Sequence, residues 1–91
     1  MILNTYNILT MKESESFDSF YLKLIDLLNQ LSSNGVEYSY SEIVMKILRS
    51  LSDKFDNNKY AIEESNYLDT LKPDELASKI RVFETITYRK I

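Results

Sequence analysis

"MKESESFDSFYLKLIDLLNQL", residues 11–31, is the stretch on which the fold turns. Its polar lead-in ends at Ser16, a residue type whose side-chain oxygen accepts from a first-turn amide when it sits at a helix start. Asp18 and Ser19 suit the first turn, where a carboxylate meets the positive end of the helix dipole. Phe17, Phe20, Tyr21, Leu24, Leu27, Leu28 and Leu31 then recur at helical spacing, with Ile25 beside them. The pattern predicts a helix over 17–33 with a broad apolar face. "SSNG" stops it, and Gly35 can take the left-handed conformation that closes a helix.

Further along, "SYSE" reads as a capping box, with Ser39 as the cap and Glu42 three residues on. It opens a second helix over 40–51. Tyr40, Val44, Ile47, Leu48 and Leu51 form one stripe, whereas Ile43 and Met45 fall partly outside it and point to a second covered surface. A third helix is expected over 53–65, capped by Ser52, with Phe55, Tyr60, Ala61 and Ile62 inside. Leu68 and Leu71 in the following connection are expected to plug the core. Pro73 suits the first position of a fourth helix over 73–88, with Asp74 and Glu75 in its first turn. Its inner stripe is Leu76, Ile80, Phe83 and Thr87. Residues 2–10 are apolar but short and without clear period, so they read either as an extended arm or as the end of a helix begun upstream.

No strand-like alternation of any length appears, and one glycine leaves little to build tight turns from. The expected architecture is all-α: a compact bundle of four to five short helices over 11–91, with 1–10 as an N-terminal arm. With 91 residues the chain makes one small domain. Such a domain buries only roughly 60–65% of its unfolded surface, so its core is marginal.

Composition removes whole classes of function. There is no histidine and no cysteine. Ser-His-Asp and Cys-His catalysis, Cys/His zinc sites and disulfides therefore all fall away. A single glycine excludes a Gly-rich phosphate cradle. Glu63–Glu64 and Asp74–Glu75 are adjacent in sequence, and helix neighbours do not face each other, so they read as solvated faces rather than a catalytic pair. No enzyme, metal or cofactor is expected. The net charge of −3 and pI near 4.9 argue against strong nucleic-acid binding. The basic bias at the end (Lys79, Arg81, Arg89 and Lys90, offset by Glu84) complements a helix C-terminus. No apolar run approaches the ~18 residues of a membrane span, and the N-terminus lacks the positive lead of a secretory signal. A reducing, cytoplasmic setting suits the lack of cysteine.

The order of the pieces resembles the Gag polyprotein of copia-type LTR retrotransposons. Leu9-Thr10-Met11-Lys12 with Glu15-Ser16 matches the start of the family pattern. An aromatic-bearing helix with a leucine pair and a glycine loop follows. Ile47 to Leu51 with Phe55 matches the next block, and Ala61 to Ser65, Leu71, Asp74 to Leu76 and Glu84 match the last. The likeness covers roughly residues 9–84. It departs at Ser52, where the family has proline, and at Lys72, where it has Ser or Thr. The lead-in "KESES" lacks the family's acidic-or-glycine loop glycine.

The resemblance implies a capsid domain with the topology of a retroviral capsid C-terminal lobe, and residues 11–31 would stand where such lobes carry their stabilising "major homology" element. It implies self-association, through which copies would build a virus-like particle shell with other Gag lobes as partners. A two-fold contact on the second helix would use Ile43, Met45, Lys46 and Arg49. Nucleic-acid binding would lie elsewhere in the polyprotein. The alternative is a truncated or domesticated lobe acting as a protein-binding adaptor or assembly inhibitor. Phe17, Phe20, Leu24, Leu28, Leu31, Val44, Ile47, Leu48, Leu51, Phe55, Leu76, Ile80 and Phe83 are the expected core.

Overall fold

Ser16 opens the central helix as its chemistry requires. Its extended backbone leads into α2 (Phe17–Ser33), and its hydroxyl oxygen accepts from the Ser19 amide at 3.2 Å. At the far end the Gly35 amide donates to the Ser32 carbonyl and the Val36 amide to the Leu31 carbonyl. This is the Schellman arrangement, and it needs the φ of +83° that Gly35 adopts. Val36 folds back against the core beside buried Leu31, the apolar contact that accompanies the motif.

The computed structural model describes residues 2–64 and 70–89, the side chains of 87–89 excepted. Among these, α1 (Ile2–Ile8) precedes α2, and α3 (Tyr40–Ser50) follows it. A 3₁₀ turn (Asp53–Phe55) runs directly into α4 (Asp56–Glu64), and α5 (Pro73–Arg89) ends the bundle. The class is all-α, as the periodicity predicts. α1 packs on α2, and α5 packs on both α2 and α3.

α3 starts with the capping box expected of it: the Glu42 amide donates to Ser39 Oγ at 3.2 Å, and Glu42 Oε1 accepts from the Ser39 amide at 3.1 Å. α5 starts differently. Lys72 has no side-chain acceptor to offer, but Pro73 has no amide to satisfy, and Asp74 Oδ1 takes the Glu75 amide at 3.1 Å.

Phe17, Phe20, Leu24, Leu31, Val44, Ile47, Leu48, Phe55, Leu76 and Ile80 are buried together. Leu28, Leu51 and Phe83, expected inside with them, are only partly buried and pack on the core's edge. Three corrections are larger. Tyr40 is 62% exposed and Tyr60 67%, and Ala61 is also exposed. A phenol can reach water from the flank of a helix, and α4 buries Ile62 instead. Ser52 caps nothing: its hydroxyl donates towards Met11 Sδ at 3.8 Å, and the expected helix begins as a 3₁₀ turn. Leu68 lies outside the described residues, as does the Thr87 side chain.

The core gains three residues that the sequence did not single out, Tyr6, Met11 and Ala77, and Leu71 is buried as the plug expected of it. The N-terminal segment is a helix, and Tyr6 stacks on Tyr38 with ring centroids 5.0 Å apart. Phe20 sits at the centre with no exposed surface, so Phe20→Ala is expected to cost about 3–5 kcal/mol, most of the stability of so small a domain. A urea melt reads this directly, and a loss below about 1 kcal/mol would place Phe20 outside the cooperative core.

Candidate functional site

Two places concentrate polar chemistry: the turn that leads into α2, and the face that α3 shows beside α1.

Glu15 organises the turn. Its Oε1 accepts from the Lys12 amide at 3.1 Å. Its Oε2 accepts from the Ser19 hydroxyl at 3.1 Å and from Lys23 Nζ at 2.7 Å. The Lys23 hydrogen bond, helped by the Lys12 amide and the Ser19 hydroxyl, holds its carboxyl below the usual range against the opposing effect of burial. Glu84, one helix away on α5, completes the turn. Its Oε2 accepts from the Phe17 amide at 2.9 Å and lies 3.6 Å from Lys54 Nζ. Lys54 in turn donates to the Glu15 carbonyl at 3.3 Å. A carboxylate at a helix start meets both unsatisfied amides and the dipole, so Glu84 ties α5 to the first residue of α2. Arg81, one turn back, reaches Asp18 at 2.6 Å and lies over the Tyr21 ring at 5.5 Å. That pair is well exposed and contributes little by itself.

The α3 face is the second place. One hundred degrees per residue puts Ile43 and Met45 about 160° apart on the helix. Ile43 turns inward, partly buried against the core, so it does not join the face. Met45, Lys46 and Arg49 do come together, lining a groove of about 530 Å³ between α3 and α1. Tyr6, Asn7 and Thr10 form its other wall, and Tyr38 and Glu42 line it too. Lys46 is committed: its Nζ donates to the carbonyls of Asn7 at 3.2 Å and Leu9 at 2.9 Å, and it lies 5.3 Å from the Tyr6 ring centroid. Burial holds its ammonium below the ordinary lysine range. Burial also pushes the Tyr6 phenol up to about 12, with Tyr38 and Glu42 adding to the shift. Met45, half-buried, and Arg49, exposed, are the other two on this face.

A second groove, about 470 Å³, runs between α4 and α5 along Ile62, Leu71 and Phe83. The basic residues near the end of the chain do not form one described patch. Arg81 is held by Asp18, Lys79 lines this second groove, and Arg89 and Lys90 have no described side chains. Glu63, Glu64, Asp74 and Glu75 are exposed. Among the described residues, no cluster of three or more His, Cys, Asp or Glu is placed to hold a metal, and no helix is long and apolar enough to cross a membrane.

The family described as gag-polypeptide of LTR copia-type matches residues 1–89 of the chain. The chain belongs to that copia-type gag family. No curated protein and no solved structure matches it. The match takes in α1 as well as the segment from Leu9 on, in keeping with the burial of Tyr6 in the common core. In this Gag domain the positions that carried the resemblance have visible work. Met11 is buried and its amide donates to the Ser50 carbonyl at 2.8 Å, Glu15 organises the turn, and Glu84 closes α2. The sequence pointed to Glu84 only as a family position and a counter-charge. Its capping role depends on a contact 67 residues away, which no local signal carries.

Glu84→Ala is expected to cost about 1–3 kcal/mol, because it leaves the Phe17 amide without its acceptor and takes the carboxylate away from beside the Lys54 ammonium. Glu84→Gln keeps an oxygen there and should lose less, and paired urea melts compare the two. Glu15 gives a pH signature. Its folded-state pKa is depressed, so its contribution is complete above the ordinary carboxylate value near 4.5 and is lost as pH falls through the lower folded value. The stability gap between wild type and Glu15→Gln should therefore close as melts are repeated from pH 6 towards about pH 2.

Proposed function

We propose that this chain is a capsid-type Gag lobe that associates weakly with copies of itself and contributes contacts to a particle shell. Family membership supports the setting. The observation that carries the reading is the pair Met45 and Arg49: a half-buried apolar side chain and an exposed cation on α3, both lining a groove and neither part of the buried core. Met adapts to varied surfaces and Arg is enriched at protein contacts. A two-fold contact would place the same face of α3 against itself.

The mechanism is assembly by many small contacts. A contact below about 1,200 Å² is weak when isolated. Tethering within a polyprotein raises the effective concentration, so weak contacts hold a lattice together. The lobe is thus a structural protein without catalysis, acting in the cytoplasm, with other Gag lobes as partners and no strong nucleic-acid contact of its own. Its all-α bundle fits the role of a C-terminal lobe in that scheme. A second reading, an adaptor or assembly inhibitor that grips a peptide, draws on the apolar groove between α4 and α5.

Sedimentation velocity from micromolar to millimolar concentration tests the first reading. A concentration-dependent shift from monomer to dimer is expected, and Met45→Asp should weaken it while the urea midpoint stays unchanged. Unaltered dimerisation in Met45→Asp would remove α3 from the contact, and a strict monomer throughout would favour the adaptor.

A further inference from the structure

Helix α1 should not exist by itself. It has seven residues, no acid in its first turn and no base in its last. Isolated helices of fewer than about 12 residues are marginal in water, so α1 holds its shape only by docking. Tyr6, with Ile2 and Leu9 at the core's edge, supplies the apolar part of that docking. The polar part is supplied from α3 at the one end where carbonyls are left over. Lys46 Nζ donates to the Asn7 and Leu9 carbonyls, and Ser50 Oγ, which shares its proton with the Lys46 carbonyl at 2.7 Å, lies 3.2 Å from the Leu9 carbonyl. Lys46 thus provides, from another helix, the cation that the last turn of α1 lacks.

We propose that Lys46 is a latch: α1 stays docked only while the charge on its side chain is present, and loss of that charge dismantles the groove whose second wall α1 forms. The groove depends on this because Tyr6, Asn7 and Thr10 reach it only from the docked segment. Burial already disfavours the ammonium, and the two carbonyls and the Tyr6 ring compensate, so the charge and the docked helix sustain each other. Lys46 is then a positioning residue for the α3 face rather than a contact on it. Only the consequence for association rests on the function proposed above; the latch does not.

Amide hydrogen exchange on the whole chain, read by mass spectrometry, tests the latch with wild type, Lys46→Met and Lys46→Arg. Methionine keeps most of the stem and removes the charge, whereas arginine keeps the charge. In Lys46→Met the amides of residues 6–9 should exchange at least about tenfold faster, while α2 and α5 stay protected. Lys46→Arg should stay close to wild type. Unchanged protection of residues 6–9 in Lys46→Met overturns the latch, as does a loss spread equally over α2 and α5. Lys46→Arg behaving like Lys46→Met overturns it too, by assigning the effect to shape. Sedimentation of wild type separates this from the function: a monomer whose α1 is released by Lys46→Met refutes self-association and upholds the latch.

Discussion

The contact between the Glu84 carboxylate and the Phe17 amide holds the architecture in register. A helix begins with amides that have no partner of their own, and α2 is the helix against which both α1 and α5 pack. Ser16 satisfies one of those amides from within the turn, and Glu84 satisfies another from α5. Once that carboxylate is in place, α5 has one azimuth and one height relative to α2. Leu76, Ala77 and Ile80 then join Phe17, Phe20 and the α3 stripe in one buried cluster, and Lys54 brings the 3₁₀ turn to the same carboxylate. The apolar core supplies most of the stability, but dispersion is not directional. The charged cap turns an apolar aggregate of helices into one arrangement.

How much of this was legible in the sequence depended on whether the deciding interaction was local. α2 and α3 were readable because cap, periodicity and stop signal all lie within one segment. α2 spans 17–33 as its pattern predicts, and the capping box of α3 is formed by the residues that spell it. α1 was not readable. Its seven residues hold too little periodicity, and its anchors, Tyr38 and Lys46, are far along the chain. Ser52 misled for a related reason. As a local signal it is a good cap, but burial beside Met11 offered its hydroxyl a sulfur instead. Tyr40 and Tyr60 fit helical stripes by spacing, yet their phenols favour water, and nothing in a stripe separates half-buried tyrosine from core tyrosine.

The candidate surface shows the same division. The off-stripe position of Met45 signalled a second covered surface, and in the fold Met45 lines the groove beside α1. Ile43 gave the same signal from the other flank of the helix, where a neighbouring part of the same core answers it. Lys46 was the instructive case. In sequence it is a lysine on the polar side of an amphipathic helix, and in the fold its ammonium belongs to another helix's carbonyls. The family likeness, by contrast, was legible from the order of the blocks, each unremarkable alone, and it included the one acidic position whose role only the fold explains.

Gly35 has a consequence of its own. Its φ is +83°, and an ideal Cβ built on it would meet no atom within 4 Å. The barrier to any other residue there is therefore the handedness of the backbone and not lack of room. A D-amino acid prefers that side of the conformational map. D-Alanine at position 35 would carry no handedness cost in the α2 exit turn and would deprive the unfolded chain of freedom that glycine leaves it. By chemical synthesis, one inverted stereocentre would thus tighten the loop between α2 and α3 without adding a contact.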